Sequence, residues 1–333
     1  MKTLKKFFLG LLILLIAMAI IAFFLPREVH VERTASIQAP AKVVFNQVNN
    51  LRSWDKWAVW NQMDPDMKVD YKNRGIGKGA AYSWESENPN LGAGTMTITE
   101  SVPYDSIATT MNFMEEGLST GYFLFEESGQ TTTVTWAFDT DLGYNPIARW
   151  MGLLFDSMIG PDFEQGLQNL KIVAETIVQE KRPVVELVNL PAFDFVSIRQ
   201  TIELEDVSEQ MGINYGQLIN FINQNDLAMT NMPYAIYHKI DGNLIDLECG
   251  IPVNSKVEAQ ENIQTGTMPA KTYAAADHFG SYDHLEQTHS FIQKWIQNNE
   301  LQLAGSPMEQ YLTDPQKEPD ESKWVTAIYY PVN

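Results

Sequence analysis

Cysteine is almost absent from this 333-residue sequence, in which Cys249 is the only one. A single thiol excludes an internal disulfide framework and any structural zinc site built from several thiolates. Basic residues are also scarce: 23 lysines and arginines stand against 42 aspartates and glutamates, so the net charge is −19. Phosphate binding needs a surplus of basic side chains, so this balance argues against a nucleic-acid partner. Widespread disorder is excluded too, because 44% of the residues are hydrophobic.

The longest apolar run lies at the amino terminus. Three lysines precede an uncharged stretch, residues 7–25, which Pro26 ends. As a helix this stretch would reach about 28 Å, close to the roughly 30 Å of a bilayer core. We therefore expect residues 1–28 to form an uncleaved transmembrane anchor that contacts the membrane through residues 7–25. The alternatives are a signal peptide cleaved after Ala-Met-Ala at residues 17–19 and a buried core helix.

The lysines that precede the apolar run also predict its orientation. Positive charge favours the cytoplasmic side of a membrane, which puts the amino terminus inside. The sequence thus predicts a single-pass protein of the cytoplasmic membrane whose two remaining domains are extracytoplasmic.

The residues after the anchor predict a strand, a short helix, several strands and a long helix. Residues 29–37 alternate in part between apolar and polar side chains, as a strand does. Residues 161–180 carry an apolar stripe of helical period. Between them lie strand candidates separated by turn residues, at 78–86, 94–101, 106–113, 121–126 and 131–139. This order predicts an antiparallel sheet wrapped around the long helix.

Motifs in this part of the chain resemble one known family. START-like (SRPBCC, polyketide-cyclase-type) domains show similar landmarks in the same order, here Ser36-Ile37-Gln38-Ala39-Pro40, Trp54-x-x-Trp57, Gly92-Ala93-Gly94-Thr95 and Thr133-Val134-Thr135-Trp136. The resemblance covers residues 29–180 and implies a helix-grip fold whose cavity lies between the sheet and the last helix. Members bind lipids, polyketides or other apolar molecules. We expect Trp57, Trp84 and Trp136 to contact a ligand there, the alternative being that they fill the core.

The rest of the chain contains an internal duplication. Three pairs of short motifs recur at offsets of 78, 74 and 79 residues: Pro191-Ala192 with Pro269-Ala270, Met232-Pro233 with Ser306-Pro307, and Pro252-Val253-Asn254 with Pro331-Val332-Asn333. Each copy holds one amphipathic helix, so each half predicts the order strand, helix, strand, strand. Two such halves can join as a single sheet with a cleft between them.

The duplicated region resembles the GyrI-like domain, the effector-binding domain of AraC- and MerR-type regulators. The resemblance covers residues 184–333 and rests on His278-Phe279-Gly280-Ser281-Tyr282 and on Glu309-Gln310-Tyr311-Leu312-Thr313. It implies an aromatic-lined cleft for cationic or amphipathic small molecules, with a buried glutamate at its base. Glu309 matches that glutamate. Regulators of the family also carry a helix-turn-helix, for which this sequence leaves no room.

Elementary physics makes a ligand-binding role for Glu309 plausible. In an extended strand Glu309 and Tyr311 point to one face, and the duplication sets Tyr237 against Tyr311 and Ala235 against Glu309. An unpaired buried carboxylate either takes up a proton or binds a cation, and nearby tyrosines offer hydrogen bonds and cation–π contacts. We therefore predict a ligand site made of Glu309, Tyr311, Tyr237 and Tyr282. The alternative is a surface glutamate on an edge strand.

The sequence as a whole predicts an α+β protein in which an anchor precedes a START-like domain (29–180) and a GyrI-like domain (184–333). Its predicted function is non-catalytic binding of an apolar or cationic amphipathic small molecule, for sensing, sequestration or transfer. Two alternatives stay open: a hydrolase that uses Glu309 with Tyr311, and an envelope scaffold that binds another protein. No cofactor is predicted, and no metal site, because His284 and His289 lie about 140° apart around a helix.

Overall fold

The structure is a computed structural model that describes residues 2–89, 91–113, 117–180, 182–315 and 317–333. It divides into two compact units, the first ending at Arg182 and the second beginning at Pro183. The helices α1 to α7 are Lys2–Ala22, Ala41–Asn49, Val59–Met63, Pro146–Gly152, Phe155–Gln179, Val207–Gln224 and Leu285–Asn298. The strands β1 to β7 are Glu28–Ile37, Lys68–Lys72, Ala81–Glu85, Ala93–Val102, Ser106–Phe113, Gly117–Ser128 and Thr131–Asp141. The strands β8 to β15 are Glu186–Leu190, Phe193–Glu203, Tyr234–Asp241, Leu244–Val253, Gln264–Met268, Lys271–Phe279, Met308–Tyr311 and Val325–Pro331.

The predicted transmembrane anchor is wrong. Among the described residues, no helix has both the length and the apolar character that a membrane crossing needs. Helix α1 ends at Ala22, so only residues 7–22 of the apolar run are helical, and they reach about 24 Å where a bilayer core needs about 30 Å. The predicted single-pass topology, the location in the cytoplasmic membrane and the extracytoplasmic placement of the domains are wrong on the same ground.

A buried arginine marks the end of α1. The Arg149 guanidinium Nη1 donates hydrogen bonds to the carbonyl oxygens of Ala22 (3.2 Å) and Phe23 (3.0 Å). Its Nε donates to the Gly143 carbonyl at 2.9 Å. A cation at the carboxyl end of a helix satisfies carbonyl groups that have no partner inside the helix and opposes the helix dipole. The helix therefore stops three residues short of the predicted end of the run.

The N-terminal unit is an antiparallel sheet with a long helix against it, as predicted. Its strands are ordered β1-β7-β6-β5-β4-β3-β2, and α5 packs chiefly against β1. Three details differ from the prediction, and the first is that helix α4 was not anticipated. Strand β2 was not anticipated, and α5 begins at Phe155 rather than at residue 161, so Pro161 lies inside the helix.

Aromatic side chains fill the space between this sheet and α5. Trp136 stacks on Phe163 of α5 with ring centroids 4.0 Å apart, and Trp57 meets Trp136 edge-on at 5.6 Å. All three side chains are buried. A Cβ at Gly166 would lie 2.9 Å from the Trp136 ring, so the glycine lets the helix approach the sheet this closely.

The C-terminal unit is a second antiparallel sheet, ordered β12-β9-β11-β10-β14-β15-β13-β8. The predicted duplication is seen in β9-α6-β10-β11 and β13-α7-β14-β15. The two copies meet at the centre of the sheet, where β10 pairs with β14 and Ala235 stands opposite Glu309. Strands β8 and β12 were not predicted. Each of them precedes one copy and pairs with the first strand of the other, β8 with β13 and β12 with β9.

The two faces of this sheet are packed differently. On one face, α6 packs with Leu218 and Ile222 in a cluster that includes Ala235 and Tyr311, and α7 packs with Ile292 against residues of β13 and β15. On the other face, Tyr234, Ile236 and Met308 form a separate cluster. Alternate residues of β10 and β14 thus belong to opposite faces, as strand geometry requires.

Candidate functional site

Glu309 lies at the centre of the sheet and is only 5% exposed. Ala235 of β10 and Ile328 of β15 are its partners on the two neighbouring strands. Met308 packs on the face away from the helices, whereas Tyr311 packs on the helix side. Glu309 therefore projects towards the helices, on the same face as Tyr311.

Both oxygens of the Glu309 carboxylate have a hydrogen-bond partner. His289 Nε2 lies 2.8 Å from Oε1, and the Tyr311 hydroxyl donates to Oε2 at 2.7 Å. The Tyr237 and Tyr311 hydroxyl oxygens are 3.1 Å apart, so Tyr237 can donate to Tyr311 while Tyr311 donates to the acid. The structure thus corrects the expectation of an unpaired carboxylate, because His289 and Tyr311 each make a hydrogen bond to one of its oxygens.

The hydrogen bonds on the two sides of the His289 ring assign its neutral tautomer, with the proton on Nε2. The Gln293 side-chain amide donates to the Tyr330 hydroxyl at 2.8 Å, and that hydroxyl lies 2.8 Å from His289 Nδ1. In a neutral imidazole, Tyr330 then donates to Nδ1 and Nε2–H donates to Glu309. In an imidazolium both nitrogens donate. We call Glu309, His289, Tyr311, Tyr237 and Tyr330 the Glu309 network.

The tyrosines of the network are held in their protonated form. Burial raises the pKa of Tyr311 well above its ordinary value, and the negative charge of Glu309 raises it further. The same two causes raise the pKa of Tyr237, and burial raises that of Tyr330. These hydroxyls therefore act near neutral pH as hydrogen-bond donors and not as tyrosinate nucleophiles.

Two further aromatic side chains stand beside the network. The Tyr282 ring meets the Tyr311 ring edge-on at 5.7 Å and lies 4.8 Å from the Trp324 ring. Tyr282 and Trp324 are half-buried. The hydrogen-bonded groups around Glu309 thus lie next to a pair of partly exposed aromatic rings.

The seven residues predicted from the sequence fall into two groups. Glu309, Tyr311, Tyr237 and Tyr282 come together in the C-terminal unit. Trp57, Trp84 and Trp136 lie in the N-terminal unit, where Trp57 and Trp136 are core residues. Trp84 is half-buried on β3, next to Tyr82 at 5.5 Å, and its indole N–H donates to the Leu91 carbonyl at 3.1 Å.

Three residues of the site were not predicted from the sequence: His289 and Tyr330, which belong to the Glu309 network, and Trp324, which lies against Tyr282. A usable signal existed for His289, since it follows Tyr215 by 74 residues, the same offset that separates Glu309 from Ala235. The second copy therefore has Glu309 and His289 at the two positions where the first copy has Ala235 and Tyr215.

A second glutamate–histidine pair lies on the other face of the sheet. His238 Nε2 is 2.7 Å from Glu248 Oε2, and Glu248 is buried. Its neighbours Leu247 and Cys249 both pack on the helix side, so Glu248 points away from the Glu309 network. This pair makes the same imidazole–carboxylate contact at another place in the unit, and the nearby Tyr234 hydroxyl makes no hydrogen bond to it, so the pair is a natural control.

The fold and the site together define an α+β protein with two antiparallel sheets and a buried acid next to aromatic side chains. Residues 28–175 match the family described as polyketide cyclase / dehydrase and lipid transport. Residues 183–333 match the GyrI-like small molecule binding domain. The chain thus carries a polyketide-cyclase-type (SRPBCC-like) domain followed by a GyrI-like domain, and both matches support binding of a small-molecule ligand.

Solved structures similar to the chain are related at low identity. The EcmrR C-terminal domain is 24% identical, with 46% of this chain and 98% of that chain covered and a TM-score of 0.39. EcmrR in a DNA complex is 23% identical, with coverages of 56% and 72% and a TM-score of 0.41. SAV2435 bound to tetraphenylphosphonium is 16% identical, with coverages of 45% and 93% and a TM-score of 0.33. No match was found among curated proteins. The absence of a nucleic-acid partner stays a prediction for this chain.

Proposed function

We propose that the chain binds a cationic, aromatic small molecule at the Glu309 network and releases it unchanged. The observation that carries the proposal is the buried Glu309 carboxylate, held by Tyr311 and His289, with the half-buried ring of Tyr282 against Tyr311. Sensing, sequestration and transfer would all use such reversible binding.

Three physical effects favour a cation at this place. A charge–charge attraction is stronger near a buried carboxylate than in water, because the local dielectric constant is lower. The faces of Tyr282 and Trp324 offer cation–π contacts of about 0.5–2 kcal/mol each. The net charge of −19 also raises the local concentration of cations around the chain.

The proposal places the ligand in the C-terminal unit. In the N-terminal unit Trp57 and Trp136 are packed against each other and against Phe163. A ligand between that sheet and α5 would have to displace these rings. Their predicted role, and that of Trp84, in ligand contact is therefore the weaker part of the sequence interpretation.

Calorimetric titration of the full chain with tetraphenylphosphonium tests the proposal, with neutral triphenylphosphine oxide as the uncharged probe. We expect Glu309→Gln to weaken binding of the cation at least tenfold, which is about 1.4 kcal/mol, and to leave binding of the neutral compound unchanged. Glu248→Gln is the matched control and should change cation binding by less than twofold. Equal effects of the two substitutions would contradict the assignment of the site.

The same variants separate binding from catalysis. A hydrolase that used Glu309 as a base would turn over an electrophile such as 4-nitrophenyl acetate faster than Glu309→Gln does. We expect the wild type and Glu309→Gln to release 4-nitrophenolate at equal rates. A clear loss of turnover in the variant would overturn the non-catalytic part of the proposal.

A further inference from the structure

We propose that a cationic ligand binding at Glu309 displaces the proton of His289, so that the site exchanges one proton for one ligand. The inference rests on the proposed function and adds the charge balance of the same site.

The first support is the geometry of the glutamate–histidine contact. His289 Nε2 lies 2.8 Å from Glu309 Oε1, and their side chains are only 17% and 6% exposed. Tyr311 already occupies the other carboxylate oxygen. With a protonated His289 the pair is neutral overall. A cationic ligand beside it would add a positive charge next to the imidazolium, and loss of the His289 proton restores neutrality.

The second support is the set of groups that face His289. Glu309 of β14 contributes a carboxylate, Tyr330 of β15 a hydroxyl and Gln293 of α7 a neutral amide held by Tyr330. Tyr311 adds a hydroxyl through Glu309. These hydroxyls stay protonated where histidines as a class change charge, between pH 5 and 8. The tyrosine hydroxyls of the network therefore contribute no charge in that range.

The third support is the internal duplication. At the offset of 74 residues, Tyr215 takes the place of His289 and Ala235 that of Glu309. In the first copy the Tyr215 hydroxyl donates to the Tyr234 backbone carbonyl at 2.7 Å and not to a carboxylate. The acid and the imidazole are present together in one copy and absent together from the other, as expected of a pair that acts as a unit.

Calorimetry of the full chain between pH 5.5 and 8, in buffers of different ionisation enthalpy, tests the exchange. Tetraphenylphosphonium has no proton of its own, so any proton released comes from the protein. We expect release to approach one proton per ligand at the acid end, and affinity to rise with pH by up to tenfold per unit where release is complete. His289→Gln should release no proton in this range and should bind with little dependence on pH. His238→Gln is the matched control, because His238 makes the same contact with Glu248, and it should behave as the wild type.

The outcomes distinguish this inference from the proposed function. Binding by the wild type without proton release, or equal pH dependence in wild type and His289→Gln, would overturn the exchange and leave the binding site standing. No binding at any pH would overturn both. If His289→Gln does not fold, nitrogen-15 NMR of the five histidine rings of the wild type at pH 5.5 decides. One ring should lose its proton when tetraphenylphosphonium is added, and five unchanged rings would refute the exchange.

Discussion

Tyr311→Phe is the substitution that most directly measures the hydrogen bonding of Glu309. It removes the donor that lies 2.7 Å from Oε2 and leaves the Tyr237 hydroxyl without its partner. A hydrogen bond to a charged group contributes about 1.5–3 kcal/mol, and an ordinary one about 0.5–1.5 kcal/mol. We expect Tyr311→Phe to lower the free energy of unfolding by about 2–4 kcal/mol. Tyr237→Phe removes the hydroxyl–hydroxyl bond and leaves the bond from Tyr311 to Glu309 in place, so it should cost about 0.5–1.5 kcal/mol.

Cys249 provides a probe of the C-terminal unit alone. It is the only cysteine of the chain and is fully buried, and burial raises the pKa of its thiol to about 11. Its neighbour across the sheet is Ala235, which in turn pairs with Glu309. The thiol therefore reacts with a disulfide reagent only when this unit opens. The labelling rate in increasing urea then gives the free energy of opening in the full chain.

The comparison of the two tyrosine variants can refute the reasoning. If Tyr237→Phe costs as much as Tyr311→Phe, the Tyr311 hydroxyl makes no special bond to the carboxylate. The double variant adds a check, since residues that share a hydrogen bond show non-additive effects. Strict additivity would mean that the two hydroxyls do not interact.

Three further predictions use the same labelling assay or a urea midpoint. Gly250→Ala would place a Cβ 2.1 Å from Cζ of the buried Tyr234 ring, so it should cost about 1–3 kcal/mol or more; unchanged stability would contradict this packing. Alkaline pH should destabilise the unit, because burial raises the pKa of Tyr234 and Tyr311 in the folded state while unfolded tyrosines ionise near pH 10. The tyrosines' contribution to the free energy of unfolding is thus fully present below about pH 10. It falls above that pH by at most about 1.4 kcal/mol per pH unit for each tyrosine. A urea midpoint that does not change from pH 8 to 11 would contradict this prediction. Ala235→Glu should cost about 3–5 kcal/mol, since it buries an unpaired carboxylate opposite Glu309, and a cost below about 1 kcal/mol would show that the place is not buried.

Local periodicity and the duplication explain why half of the site could be predicted from the sequence. The period of two in a strand places Tyr311 on the face of Glu309, and the 74-residue offset sets Tyr237 against Tyr311. Both inferences use only short-range geometry and self-similarity. The contact of His289 with Glu309 joins a helix to a strand, and it depends on how α7 lies over the sheet, which no local pattern specifies.

The other differences from the prediction also have tertiary causes. The end of α1 coincides with Arg149, more than 120 residues away in the chain. Strands β8 and β12 are five residues long each and are related by the 78-residue offset of the repeat. Each pairs with the first strand of the other copy, which is a tertiary contact that the repeat pattern does not specify. Tryptophan content alone does not distinguish a lined cavity from a filled one. In the N-terminal unit α5 approaches the sheet closely at Gly166, which brings Phe163 onto Trp136.

The duplication itself accounts for an acid in only one copy. Ala235 and Glu309 are direct neighbours on paired strands, and residues so placed have Cβ atoms about 4.5–5.5 Å apart. Two carboxylates at that distance would repel, and burial would force one of them to hold a proton. An alanine in one copy removes the conflict, and the helix residue above it makes its hydrogen bond to the backbone instead of to a carboxylate. Tyr215 meets a backbone carbonyl there, whereas His289 meets the acid. The duplicated fold thus holds a single glutamate–histidine pair, His289 with Glu309, and this pair lies where the two copies join.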